Sequence, residues 1–179
     1  MILKQTLVTG SDYPSELEYH LYNDTLEFSN SLQSALEGAS LSSAVGLAIL
    51  LPSHGLLEGI ALSVGHTVFI LRVNSVTKAQ NNAAIEQIML SSAHRLVGVG
   101  FVRLALHIKH ALGYHVKGYE LFDGSIVIKK SASPGQAVFN YIDMKSDSFR
   151  IDQAWDVIPE GYGTPALENM CIRAWLSSV

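Results

Sequence analysis

The stretch "IEQIMLSSAHRLVGVGFVRLALHIKHALG", Ile85 to Gly113, decides how the chain is read. Its opening residues, with Ala84 before them, make "AIEQIML" at 84–90, which is short and apolar after a polar run and is expected to form a strand. Its second half reads as a helix. Phe101, Leu104, Ala105, Ile108, Ala111 and Leu112 recur at helical spacing on one face, and Arg103, His107 and His110 fall opposite. Gly113 stands where a helix commonly stops. Between the two elements lie Arg95, Gly98 and Gly100. Glycines at such a turn let the backbone approach a ligand and permit positive φ. Unpaired N–H groups at the start of a helix are well matched to a phosphate. The same residues also suit an ordinary close-packed connection.

Working outward, "AVGLAILL" (44–51) and the β-branched "HTVFILRVNSV" (66–76) are expected strands, with a polar turn at 77–84. Residues 2–8 alternate as a first strand, and Ser11 or Asp12 is placed to cap one or two helices running through Leu36, with Pro14 in the first turn. Beyond Gly113, strands are expected within 114–122 and 125–130 around an Asp123-Gly124 turn. A short helix at 133–144, a strand at 148–158 and a terminal helix at 166–178 follow. The mixture is α+β or α/β-like, in a single domain covering 1–179.

With 48% hydrophobic and 16% charged residues, the chain can build a core. Its net charge is −4, and Lys129-Lys130 is its one adjacent basic pair, so no nucleic-acid partner is expected. A single cysteine, Cys171, rules out a disulfide within the chain and argues against a cysteine-based zinc site. Together with an N-terminus that lacks a signal-peptide pattern, it suits the cytoplasm. The apolar region 41–73 is broken by Pro52, His54, Glu58 and His66, short of the about 20 apolar residues a membrane span needs. No metal site is expected: His107 and His110 share a polar helix face, and they and His115 lack carboxylate or cysteine partners at ligand spacing.

Arg95-x-x-Gly98-x-Gly100, set between a strand and a helix, resembles the acetyl-CoA-binding segment of the GNAT superfamily of N-acetyltransferases, which carries Q/R-x-x-G-x-G/A there. Ile85, Ile88 and Leu90 match the apolar positions of that family's fourth strand, and Ala111 matches a frequent helix alanine. Leu96 and Val97 depart from it, being apolar where a small or basic residue is usual, as does Ser92 where proline is frequent. The resemblance implies a GNAT-like, mixed, mostly antiparallel sheet with flanking helices. It implies acetyl-CoA as co-substrate, with its pyrophosphate on the amides of Arg95, Leu96, Val97, Gly98, Val99 and Gly100, and its thioester arm beside Met89 and Leu90. Glu86 is then the general base, Tyr141 protonates the leaving thiolate, and an amine of a small molecule or protein is acylated. Gly98→Val or Gly100→Val is expected to abolish cofactor binding with the fold largely intact. A homodimer is compatible with this reading. The alternative is a non-catalytic binding or inhibitory protein with a degenerate GNAT-like fold acting through a protein partner, which the apolar Leu96 and Val97 favour.

Overall fold

The computed structural model describes residues 1–5, 14–39, 44–51, 55–80, 82–121 and 163–178. In chain order these form β1 (Ile2–Lys4), β2 (Glu16–Tyr22), α1 (Thr25–Gly38), β3 (Ala44–Leu50), β4 (Gly59–Val64), β5 (Thr67–Arg72), α2 (Ser75–Gln80), α3 (Ala83–Leu90), β6 (Arg95–Gly98), α4 (Phe101–Leu112), β7 (Tyr119–Glu120) and α5 (Thr164–Ser178). The expected Asp123-Gly124 turn, the strands at 125–130 and 148–158, the helix at 133–144 and Tyr141 lie outside the described residues.

β3, β4 and β5 form an antiparallel meander, with Val45 opposite Val64 and Gly59 opposite Arg72. These strands are apolar almost throughout, the composition of a sheet covered on both faces. Side-chain alternation divides them between two cores. Val45, Leu47 and Ile49 join Phe28 and Leu32 of α1, Ile85 and Met89 of α3, and Ile108 of α4. Ala48 and Leu50 point the other way, onto Met170, Cys171, Ala174 and Trp175 of α5. The result is a three-layer α/β/α arrangement. Buried Cys171 is part of that core, and burial pushes its thiol pKa up to about 12.

The strand order is β1-β2-β5-β4-β3-β6-β7. β2 lies parallel to β5, β6 parallel to β3, and β7 parallel to β6. The sheet is mixed and flanked by helices, as expected, but three of the six pairings among the described residues are parallel, so it is not mostly antiparallel. Parallel neighbours need crossover connections, and the helices supply them.

Three segments differ in type from the sequence expectation. Residues 84–90 are helical, not a strand: the Asn82 side chain accepts from the Ala84 N–H, and Ile85 and Met89, four apart, are both fully buried. Residues 16–22, expected to be helical, form β2, because Leu17 and Tyr19 alternate into the core. The first helix starts later, where the Asp24 carboxylate accepts from the N–H groups of Leu26 and Glu27. The expected turn at 77–84 is mostly helical too, within α2 and the start of α3.

Candidate functional site

From β3 the chain runs outward through β4 and β5, then returns over α2 and α3 to place β6 on the opposite side of β3. The connectivity therefore reverses between β3 and β6. In open α/β sheets, a crevice outside the carboxyl ends of the strands at such a reversal is the usual ligand site. A cavity of about 250 Å³ opens there. Leu47, Ala48 and Ile49 of β3 form its floor. Gly100 and Arg103 border it from the start of α4, and Arg173 and Ser177 from the last turns of α5.

The two helices bring one guanidinium each. Arg103 is exposed and has no ion pair among the described residues. Arg173 is partly buried, and burial draws its pKa below the ordinary arginine value. A guanidinium nonetheless keeps its charge at neutral pH. The Ser177 hydroxyl donates to the Arg173 carbonyl at 2.8 Å, one turn back along the helix. No acidic side chain lines the cavity among the described residues. Nor do three or more His, Cys, Asp or Glu side chains come together as metal ligands anywhere among them.

The turn that the sequence offered to a phosphate is present and already occupied. Gly100 adopts a left-handed conformation (φ 67°) and starts α4. Its N–H donates to Glu120 Oε1 at 2.9 Å, and the Phe101 N–H donates to Glu120 Oε2 at 2.7 Å. The carboxylate of β7 thus takes the place of an external anion at the positive end of the helix. Gly98 is close-packed: a Cβ there would lie 2.9 Å from the Leu47 carbonyl oxygen and 2.7 Å from Leu104 Cδ1. Gly98→Val would therefore disturb the β3–β6 contact, contrary to the expectation that the fold survives it.

The other sequence-derived candidates scatter. Met89 is buried in α3 and Leu90 exposed at its end. Arg95 opens β6 with its guanidinium 5.1 Å from the Tyr119 ring centroid, and Leu96 and Val97 are buried in that strand. Val99 and Gly100 border the cavity. Glu86 sits on α3 and accepts from the His115 backbone N–H at 2.9 Å and from His115 Nδ1 at 2.8 Å. Lys109 Nζ lies 2.9 Å from His115 Nε2. An ammonium only donates, so Nε2 is the acceptor and Nδ1 carries the proton directed at Glu86.

The backbone and then the side-chain hydrogen bond from His115 hold the Glu86 carboxyl below its ordinary pKa. A depressed carboxylate stabilises the fold above its unfolded pKa, about 4.3, and loses that contribution as pH falls through the lower folded value. The melting-temperature gap between wild type and Glu86→Gln is expected to be full above about pH 5 and to shrink in more acidic buffer. A gap independent of pH in thermal melts would remove the charged hydrogen bond from the account.

Neither a family profile nor a curated protein sequence matches the chain. Solved structures do match. Escherichia coli RNase D, an exoribonuclease involved in structured RNA processing, aligns with a TM-score of 0.63 at 10% identity, over 89% of this chain and 42% of that one. A Trypanosoma brucei RNase D in complex with GMP aligns with a TM-score of 0.62 at 14% identity, over 89% and 55%. The EXD2 exonuclease domain soaked in Mn and GMP aligns with a TM-score of 0.52 at 13% identity, over 89% and 85%. This chain spans less than half the length of the E. coli RNase D chain.

The fold is thus the RNase H-like α/β fold of these exonucleases, and the GNAT resemblance is overturned. The physical reason is local. The segment that had to be the cofactor strand is a helix, four of the six residues whose amides had to hold the pyrophosphate lie in β6, and the amide of Gly100 donates to Glu120. Acetyl-CoA as co-substrate, the amine acceptor and N-acyltransferase activity fall with it. The exclusion of nucleic acid from charge is corrected as well, since the matched structures include an exoribonuclease. Net charge does not register two arginines, far apart in sequence, that fold into one cavity. Before folding, nothing in the spacing of Arg103 and Arg173 marks them as a pair.

Proposed function

We propose that this chain binds a nucleic-acid strand, taking a terminal nucleotide into the cavity at the carboxyl ends of β3 and β6. The observation that carries this reading is the position of that cavity, at the reversal of strand connectivity in an exonuclease fold, with arginines on both flanking helices. Its volume, about 250 Å³, falls just under the roughly 300–1,000 Å³ of typical small-molecule pockets. It has room for part of one nucleotide and none for a duplex. The apolar floor suits a base or sugar, and a guanidinium fork suits phosphate oxygens.

The matched EXD2 crystals were soaked in Mn, and the described residues lining the cavity do not fit such an ion. Mg²⁺ and Mn²⁺ take oxygen ligands, with one or two carboxylates as a rule. The described cavity offers two cationic side chains and no carboxylate. Glu120, the carboxylate bound to cavity-lining Gly100, is committed to two backbone N–H groups. No metal-dependent hydrolytic step is assigned to this site.

Fluorescence anisotropy of a short single-stranded oligoribonucleotide tests the reading. Saturable binding is expected that weakens as salt rises, because phosphate contacts release counterions. A flat titration at low salt would exclude strand binding.

A further inference from the structure

We infer that the cavity takes a phosphate-class anion directly on Arg103 and Arg173, and that its described lining holds a nucleotide end through these arginines and not through a divalent cation. The inference rests on the strand-binding reading for its biological ligand, but its own claim is about which charge the cavity accepts.

Three features converge on it. The β3 floor is Leu47, Ala48 and Ile49, so the strand sends no carboxylate into the cavity. A cation would therefore lose water without gaining anionic oxygens, while two guanidinium groups repel it. Next, the guanidinium groups come from opposite faces of the sheet. α4 packs with the layer of α1 and α3, and α5 covers the other face, so Arg103 and Arg173 reach the same cavity from its two sides. An anion between them can accept from two planar donor forks, the geometry that phosphate recognition favours. Finally, the competing anion site at the α4 N-terminus is filled by Glu120, which directs an incoming phosphate past the helix end toward the arginines. A nucleophilic water for phosphodiester cleavage needs a metal or a general base to activate it. The described cavity lining supplies neither.

The full chain is titrated with two probes, Mn²⁺ alone and GMP in EDTA, with Mn²⁺ followed by electron paramagnetic resonance and GMP by calorimetry. GMP is expected to bind in EDTA, and Mn²⁺ is expected to show no saturable binding below about 1 mM. Arg103→Glu, a change at an exposed position, is expected to weaken GMP roughly tenfold or more, with Arg103→Lys intermediate, as loss of a charge-assisted contact requires. Circular dichroism checks that both variants stay folded. Saturable Mn²⁺ binding, GMP binding that requires Mn²⁺, or equal GMP affinity in wild type and Arg103→Glu would each overturn the inference. So would failure of GMP to bind under either condition. If GMP binds as described but oligonucleotides do not, the strand-binding reading falls and the anion site stands. If oligonucleotides bind but GMP does not, the anion site falls alone.

Discussion

Gly46→Ala is expected to lower the melting temperature by roughly 6–12 °C, the effect of about 3 kcal/mol in a chain of this size. At Gly46 a Cβ would overlap the Ala174 carbonyl oxygen and lie 2.8 Å from its carbon and 3.0 Å from the Ser178 nitrogen. All three are backbone atoms of α5, so no rotamer change relieves the clash. The helix has to lift off β3, and the contacts of Ala48 and Leu50 with Ala174 and Trp175 loosen together. Small residues along this face, Gly46, Ala48, Ala61 and Ser63, let α5 lie close to the sheet. The same closeness brings Arg173 and Ser177 to the cavity, so ligand binding should fall with stability. A melting temperature within about 2 °C of wild type would show that α5 does not sit as described.

Gly118→Ala is the second large effect, and it acts on the other side of the site. A Cβ there would run into the Phe101 ring and lie 2.5 Å from the Leu96 carbonyl oxygen. Phe101 is buried, and Leu96 belongs to the β6 backbone. The expected cost is about 2–3 kcal/mol, in the overpacking range. The substitution also has a local signature. Pushing β7 outward draws Glu120 from the N–H groups of Gly100 and Phe101, so their hydrogen exchange should accelerate more than that of the β3–β5 meander. Unchanged stability and unchanged protection at these two amides would contradict the packing.

Particular residues explain what could be seen before folding. α4 was legible because its apolar face, its Gly100 start and its left-handed Gly113 end all agree. β3 and β5 were legible as apolar, β-branched runs, and the terminal helix was placed within two residues of α5. β2 was not, because Leu17 and Leu21 satisfy helical and extended spacing equally, and Tyr19 breaks the tie only through burial. α3 was missed for the opposite reason. Its isoleucines suggested a strand, while its Asn82 cap and the Ile85–Met89 spacing carried the helix signal. That one misreading moved the strand before the glycine turn from 95–98 back to 84–90, and the cofactor followed it. Of the glycine turn, only the Gly100 end was located, since Arg95–Gly98 are strand, and its occupant, Glu120, lies 20 residues from Gly100 and is chosen by β6–β7 pairing. Arg103 was assigned to the solvent face of its helix and Arg173 was given no role, since each becomes a cavity residue only when α4 and α5 are set on opposite faces of β3.

The central claim is that the cavity at the end of β3 receives a nucleotide phosphate on arginines and not through a metal. A crystal of the full chain soaked in Mn²⁺ and GMP, with anomalous scattering collected to locate manganese, tests it most directly. The account predicts GMP phosphate against Arg103 and Arg173, with no manganese peak among Leu47, Ala48, Ile49 and Gly100. Manganese seated at the carboxyl end of β3, or GMP bound away from both arginines, would contradict it.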